Sequence, residues 1–420
     1  MMKICIHRGA SQIGGSCVEV RARGQRMLLD VGLPLEQDLN GDGALPGSLE
    51  LDITETIAAV AISHPHTDHY GLASLLPEDT HFLIGAAARR LLKAASVFTP
   101  SDMGFRNVSY FEDRDRMEVG PFRITPFLMD HSAYDSYALH VECDGKGLLY
   151  TGDLRAHGRK GGLFEKLLRL PPSPVDVLLM EGTTLSREGS TDSFLRESDL
   201  EARLVQIYKS TRGMPLVWCS GQNIDRLVTV FRACKRSGRQ LILDMYTAHV
   251  LAATENPRLP QADWDGIRVF LPHFQKLRIK RDRRFDVAAM YRPHRIYPED
   301  LAKAAPDSVM LFRPSLRSDV ERADCLDGAC LIYSMWDGYL QDKNMLPFLQ
   351  RLDDRGIELH RCHTSGHASL KDLQRLRAVF SEATVVPIHT PMAGEYRNLF
   401  EKVETHRDGS WWGLERRSSD

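Results

Sequence analysis

The 420-residue sequence predicts an α/β protein in which one layered structure is interrupted by a second α/β module. Three observations predict it. Up to residue 181 the chain reads mostly as short strands bounded by Gly, Pro or charges. From about 190 it changes to strand–helix–strand at a spacing that implies parallel pairing. From about 343 helices and strands alternate again to residue 403.

Met2–His7 opens as a strand. Residues 16–22, 25–31, 58–63, 122–129, 137–143 and 147–151 follow, with a helix at 86–96. Residues 175–181 are nearly all apolar, as in a buried strand. The stretch 185–198 is polar and loop-like. A helix follows with Leu200, Leu204 and Ile207 on one face, then a strand at 215–220. Ile224, Leu227, Val228 and Phe231 have helical spacing and precede a strand at 241–246. The last part reads as helix 343–355, strand 357–362, helix 369–380, strand 384–388 and helix 394–403. The expected division is therefore 1–190 and 346–420 as the two parts of one domain, with 191–345 inserted between them.

A composition of 43% hydrophobic and 26% charged residues is that of a globular protein with an ample core. The net charge of −2 excludes a uniformly basic chain, so any polyanion contact must be a local patch. Eight scattered cysteines, without paired zinc-finger spacing, read as reduced thiols. No apolar run approaches the ~20 residues of a membrane span, and the opening reads as a strand rather than a signal peptide. The expectation is a cytoplasmic protein with no membrane contact.

The densest chemistry lies in Ser63-His-Pro-His-Thr-Asp-His-Tyr-Gly71. His64 and His66 alternate, so in extended backbone both point the same way. Asp68 and His69 follow at once, where residues 71–76 read as the start of a helix that Thr67 or Asp68 would cap. Imidazole and carboxylate donors suit zinc, with manganese or iron as alternatives. Four donors so close together are better shared between two ions, the geometry of two-metal hydrolysis.

With these residues the sequence resembles the metallo-β-lactamase fold, whose remaining signature occurs in order. Asp30 ends a strand after Met27-Leu-Leu29 and before Val31-Gly32; His131 lies in Asp130-His-Ser-Ala-Tyr-Asp-Ser136; Asp153 in Tyr150-Thr-Gly-Asp; His389 in Val386-Pro-Ile-His-Thr390. The resemblance implies that His64, His66 and His131 hold one metal and that Asp68, His69 and His389 hold the other. Asp153 would bridge them, and Asp30 would orient the ligand loop.

Three further features resemble the β-CASP branch, which contains ribonuclease J, the mRNA 3′-end processing endonucleases and the Artemis-like DNA nucleases. Glu181 ends a strand before Gly-Thr-Thr, Gly366-His367-Ala368 matches a second motif, and His389 in Pro-Ile-His-Thr matches the form found in RNA-cleaving members. Gly9–Ser16 resembles the glycine-rich turn of ribonuclease J-like proteins, and Asn223–Arg226 the first helix of a β-CASP insert. The implied fold is a metallo-β-lactamase αββα sandwich split by a β-CASP-type α/β domain. There are departures. Gly182-Thr183 stands where Ser-Thr usually follows the acidic residue, residues 333–340 replace an expected Ser- or Gly-rich loop, and the chain leaves no room for ribonuclease J's further C-terminal domain. They argue against a 5′-monophosphate pocket.

The resemblance implies a dimetal hydrolase that cleaves phosphodiester bonds of single-stranded nucleic acid, RNA before DNA, by a metal-bound hydroxide. Asp68 would take the water's proton. His367 would donate to phosphate or the departing oxygen, oriented by Glu181. The cations Lys276, Arg278, Lys280, Arg281, Arg283 and Arg284, against Asp282 alone, form the candidate polyanion contact. Trp336 and Tyr339 read more simply as core or interface aromatics than as base-stacking groups. A small-molecule hydrolase acting on lactones or thioesters, and a non-catalytic nucleic-acid-binding protein, are the alternatives. The long insert weighs against the first, and the complete ligand set against the second.

Overall fold

The computed structural model describes residues 1–37, 43–51, 55–99, 105–186, 193–341 and 345–414. Eleven strands come first: β1 (Met2–Arg8), β2 (Cys17–Ala22), β3 (Gln25–Leu29), β4 (Thr56–Ala61), β5 (His81–Gly85), β6 (Asn107–Phe111), β7 (Met117–Val119), β8 (Phe122–Met129), β9 (Ser136–Cys143), β10 (Lys146–Tyr150) and β11 (Val177–Glu181). Seven more follow: β12 (Pro215–Trp218), β13 (Gln240–Asp244), β14 (Ile267–Phe270), β15 (Arg295–Ile296), β16 (Ser308–Phe312), β17 (Cys330–Tyr333) and β18 (Glu358–Arg361). The last are β19 (Thr384–Ile388) and β20 (Trp411–Leu414).

The chain divides into two compact units, one of 1–92, 100–194 and 366–420, the other of 93–99 and 195–365. The first unit holds two sheets, ordered β20-β1-β2-β3-β4-β5-β6 and β19-β11-β10-β9-β8-β7. Alternate residues of both sheets, such as Ile4, Val18, Met27, Ala59, Leu139, Leu148, Leu179 and Val386, interlock in one core between them. The outer face of the first sheet packs on Leu72, Ala88 and Leu92; that of the second on Phe164, Leu370, Leu373 and Tyr396. The layers are thus helix, sheet, sheet, helix, each sheet burying both faces.

The second unit carries an all-parallel sheet, β15-β14-β13-β16-β12-β17-β18. The helices Glu197–Ser210 and Ile224–Ser237 form where the apolar spacing predicted them. Asn223 caps the second by accepting from the Arg226 amide, and Gly238 ends it in the left-handed conformation. Residues 346–365, expected with the last part of the chain, add to this sheet instead, because β18 pairs in parallel with β17. The expected boundary at 190/191 lies outside the described residues. Among the described residues no helix is long and apolar enough to cross a membrane.

A buried ion cluster ties the first sheet. Glu19 on β2 takes Arg26 through Nε at 2.6 Å and Nη2 at 2.9 Å, and faces His7 Nε2 at 2.8 Å. Burial pushes the Glu19 carboxyl up, but hydrogen bonds from His7, Arg26 and Arg21 outweigh it and hold its pKa at about 2, below the ordinary 4.5. A carboxyl depressed in the folded state stabilises above its unfolded pKa, and that stability is lost as pH falls through 4.5 towards 2. The shift corresponds to about 3 kcal/mol. Glu19→Gln should therefore lower stability at pH 7 by about that amount and flatten the acid limb between pH 4.5 and 2, read by denaturant unfolding across pH. An unchanged acid limb would refute this role for Glu19.

Candidate metal centre

Strand ends build the site. Asp30 follows β3, His64 and His66 follow β4, His131 follows β8, Asp153 follows β10, Glu181 ends β11 and His389 follows β19. All lie in the first unit, as does His367. The parallel register sets Glu181 opposite Ile388, one residue before His389.

The motif after β4 turns sharply. The sequence predicts a helix from residue 71, capped by Thr67 or Asp68. Instead Thr67–Tyr70 is a single helical turn whose N-cap is His66, with no side-chain cap, and Ala73–Leu75 is a short 3-10 turn. The turn is pinned from β3's extension: Val31 N–H donates to His69 O at 2.8 Å and Leu33 N–H to Thr67 O at 3.1 Å. Gly32 must be glycine, because a Cβ there would stand 1.7 Å from Asp68 O.

The side chains of the predicted ligands converge in three groups, each with one donor atom per residue and all donors within 4.8 Å of one another: His64, His66, His131 and Asp153; Asp68, His69 and His389; Asp153, Glu181 and His367. In the first, His66 Nδ1 is 3.2 Å from both His64 Nε2 and His131 Nε2. Asp153 Oδ2 is 3.6 Å from His64 Nε2 and 3.9 Å from His131 Nε2. Four donors at about 2 Å from one tetrahedral ion would stand about 3.3 Å apart. In the second, Asp68 Oδ2 is 3.8 Å from His69 Nε2 and 3.7 Å from His389 Nε2. The same Asp153 oxygen is 3.3 Å from His69 Nε2, 3.8 Å from His389 Nε2 and 3.7 Å from His367 Nδ1.

Two buried donors fit a cation: His69 Nε2 and Asp153 Oδ1 have no hydrogen-bond partner. Such atoms are costly when left unsatisfied. Burial, reinforced by neighbouring imidazoles, pushes the pKa of His64 and His131 well below the usual value. Burial likewise lowers His66, to about 4, and His389. They are neutral lone-pair donors. Burial also pulls His69 down, but Asp153, Asp30 and Asp68 outweigh it and raise its pKa well above the usual value. Carboxylate charge accumulates on one side of the site, where a divalent cation would neutralise it. The histidine and aspartate clusters therefore suit a divalent metal.

Asp30 is fully buried at a left-handed φ of 60°. Its Oδ1 accepts from Ser63 N–H at 2.7 Å. Its Oδ2 accepts from Ser63 Oγ and Tyr150 Oη and faces His69 Nδ1, each at 2.7 Å. Ser63 Oγ in turn lies 3.0 Å from His64 Nδ1. His131 Nδ1 faces the Gly366 carbonyl at 2.6 Å. Ser63, Tyr150 and the Gly366 carbonyl were missed by the sequence reading, although Ser63 and Tyr150 stand beside the motifs it used.

Glu181 accepts amide hydrogen bonds from Leu154 at 3.2 Å, Thr183 at 3.2 Å and Ala368 at 3.4 Å, and faces His367 Nδ1 at 3.2 Å. The Gly182 departure has a steric cause: a Cβ there would meet Tyr396 Oη at 2.1 Å, and that hydroxyl donates to Met180 O.

The cations of 276–284 lie in the second unit, on the helix His273–Arg281 and the turn after it. Arg278 and Arg281 pair with Asp282, and Arg284 with Asp286, leaving Lys276, Lys280 and Arg283 without a carboxylate partner among the described residues. Trp336 and Tyr339, expected to be covered, are exposed and meet edge to face at 5.4 Å.

A profile described as a beta-lactamase superfamily domain matches residues 25–204. Ribonuclease J of Helicobacter pylori (strain ATCC 700392 / 26695) is 27% identical over 237 residues, 54% of this chain and 34% of that protein. Ribonuclease J of Mycoplasma genitalium is 20% identical over 427 residues, 94% of this chain and 68% of that one. This chain thus spans about a third of the first relative's length. A crystal structure of a protein of unknown function from Enterococcus faecalis V583 superposes with a TM-score of 0.79 at 20% identity, covering 98% of this chain and all of that one. The chain has a ribonuclease J-like metallo-β-lactamase fold. In that fold the glycine before His367 has a structural duty. A Cβ on Gly366 would stand 2.5 Å from Ser132 Oγ, displacing the carbonyl that holds His131.

Gly366→Ala should accordingly weaken metal retention at the His64, His66, His131 and Asp153 group by about 10- to 100-fold, the usual size for a lost partner of a ligating histidine. Adding Ser132→Gly should restore it. Metal release into a chromogenic chelator reads both, and no rescue by the double variant would overturn the steric account.

Proposed function

We propose that this protein is a metal-dependent hydrolase of phosphodiester bonds in single-stranded nucleic acid, RNA in preference to DNA. The observation that carries the reading is the single Asp153 oxygen, within 3.9 Å of donors from all three groups. The ribonuclease J relatives supply the substrate class.

His64, His66, His131 and Asp153 would hold one ion, and Asp68, His69, His389 and Asp153 a second; zinc fits the donor chemistry, with manganese the alternative. Two such ions, when bound, supply a nucleophile near neutral pH and neutralise phosphoryl charge. Asp68, half-buried, accepts the proton lost by the attacking water. Glu181 engages His367 Nδ1, which leaves Nε2 as the atom that gives a proton to the departing oxygen.

Lys160 supports a polyanionic substrate. It is half-buried, its ammonium donates to Ala133 O at 3.2 Å beside the His131 loop, and it has no carboxylate partner among the described residues. Lys276, Lys280 and Arg283 are the further candidates for backbone contact in the second unit. Eight free, buried cysteines suit a reducing compartment, so we assign the protein to the cytoplasm.

Purified protein with labelled single-stranded RNA and DNA, chelated and then restored with zinc or manganese, should cut RNA faster and only when metal is restored. Fully loaded protein that cuts neither polymer would sink the reading. His367→Gln should lower kcat by about 10²–10⁴-fold with both ions retained. Lys160→Gln should raise KM for RNA, lower its salt dependence, and leave cleavage of a small phosphodiester unchanged, as expected of a phosphate contact. Equal losses on both substrates would exclude that role for Lys160.

A further inference from the structure

Trp336 and Tyr339 read from the sequence as covered aromatics, yet they are 46% and 53% exposed. Both belong to the second unit, in the turn that leaves the carboxyl end of β17. Hydrogen bonds fix this turn. Ser334 N–H donates to Trp218 O at 2.9 Å, and Ser334 Oγ donates to Cys362 O at 2.5 Å. Further on, the Tyr333 phenol and the Tyr339 amide both donate to Trp336 O, at 2.9 and 3.2 Å.

The indole itself has a seat. A Cβ added to Gly338 would stand 2.3 Å from Trp336 Cη2 and 2.4 Å from both Cζ2 and Cζ3. Three consecutive ring atoms at nearly equal distance place the glycine beneath the ring face, not at its edge. The indole therefore lies flat on backbone, and Tyr339 meets it edge to face at 5.4 Å. It has given up rotamer freedom while nearly half its surface stays in water.

The surroundings decide what such a ring fits. Asp337 and Arg361, an exposed pair 3.7 Å apart, break up the apolar surface of the turn. Two rings beside an exposed ion pair present far less apolar area than the about 800 Å² per partner of a stable protein interface. A flat, held π face suits a flat ligand. Every nucleobase has such a face, and unpaired bases stack on aromatic side chains whatever their sequence. Open parallel sheets also take ligands beyond the carboxyl ends of their strands, where this turn lies.

Resting on the single-stranded RNA reading above, we infer that Trp336, edged by Tyr339, is a stacking platform for one unpaired base of the bound strand.

Fluorescence anisotropy on the full chain, chelated so that nothing is cut, tests this with labelled oligouridylate and an abasic ribose-phosphate strand of the same length. Trp336→Ala should weaken oligouridylate binding about 5- to 100-fold. Gly338→Ala, which keeps the indole but unseats it, should do the same, and Trp336→Tyr should recover most of the loss. The slope of log Kd against log salt should keep its wild-type value, because a stacked base releases no counterions. The abasic strand should bind wild type and variants alike. Equal weakening for the intact and abasic strands, or oligouridylate binding unchanged by Trp336→Ala, would overturn the inference. So would a Trp336→Ala variant altered only in oligomeric state by sedimentation, which would make the pair a contact between copies. Wild type that binds neither strand would overturn both this platform and the RNA reading. Wild type that binds through Trp336 as described but, fully metal-loaded, cuts neither polymer would sink the hydrolase reading and leave the platform standing.

Discussion

Everything in the site depends on a carboxylate buried among imidazoles. Asp153 is 2% exposed, and its Oδ2 lies within 3.3–3.9 Å of nitrogens from His64, His69, His131, His367 and His389. Burying that charge is expensive unless cations or strong donors surround it. Burial raises the Asp153 pKa, but His389, His69 and His367 more than reverse this and hold it well below the usual carboxylate range. The histidines and the aspartate therefore require one another, and a divalent cation satisfies both.

The fold supplies the positions. Two sheets share one apolar core, so the strand ends of both sheets come together, and six of those ends carry the chemistry. Strain is accepted where it serves this. Asp30 and His389 both adopt left-handed backbone, with φ of 60° and 54°, at a cost of order 1–3 kcal/mol each. Four hydrogen bonds to Asp30, and the one from the His389 amide to Gly9 O at 2.8 Å, over-determine these conformations.

Asp30 also organises the imidazoles it does not touch. Ser63 Oγ donates to Asp30 and so presents an acceptor to His64 Nδ1, while the Gly366 carbonyl does the same for His131. The orientation of these imidazoles is thus set by groups outside the cluster, an arrangement that at metal sites is consequential for affinity. The second unit needs none of this. Its parallel sheet is buried by apolar side chains, and its polar interior is a separate network in which Arg226 pairs with Glu197 at 3.0 Å.

The residue order alone locates the histidines and aspartates that cluster in the fold, and most of the elements around them. Three imidazoles and a carboxylate in six positions have little other use, and strand periodicity survives in short, sharply bounded runs such as 122–129 and 384–388. Only the tertiary structure decided that 346–365 joins the second unit's sheet, that the motif closes in a single turn at Thr67–Tyr70, and that half the cations of 276–284 are taken up by Asp282 and Asp286. The reason is range. Donor identity is written in the residue itself. Strand partners, ion pairing and the Ser16 contact to His389 Nδ1 depend on segments up to hundreds of residues apart, which no local pattern encodes.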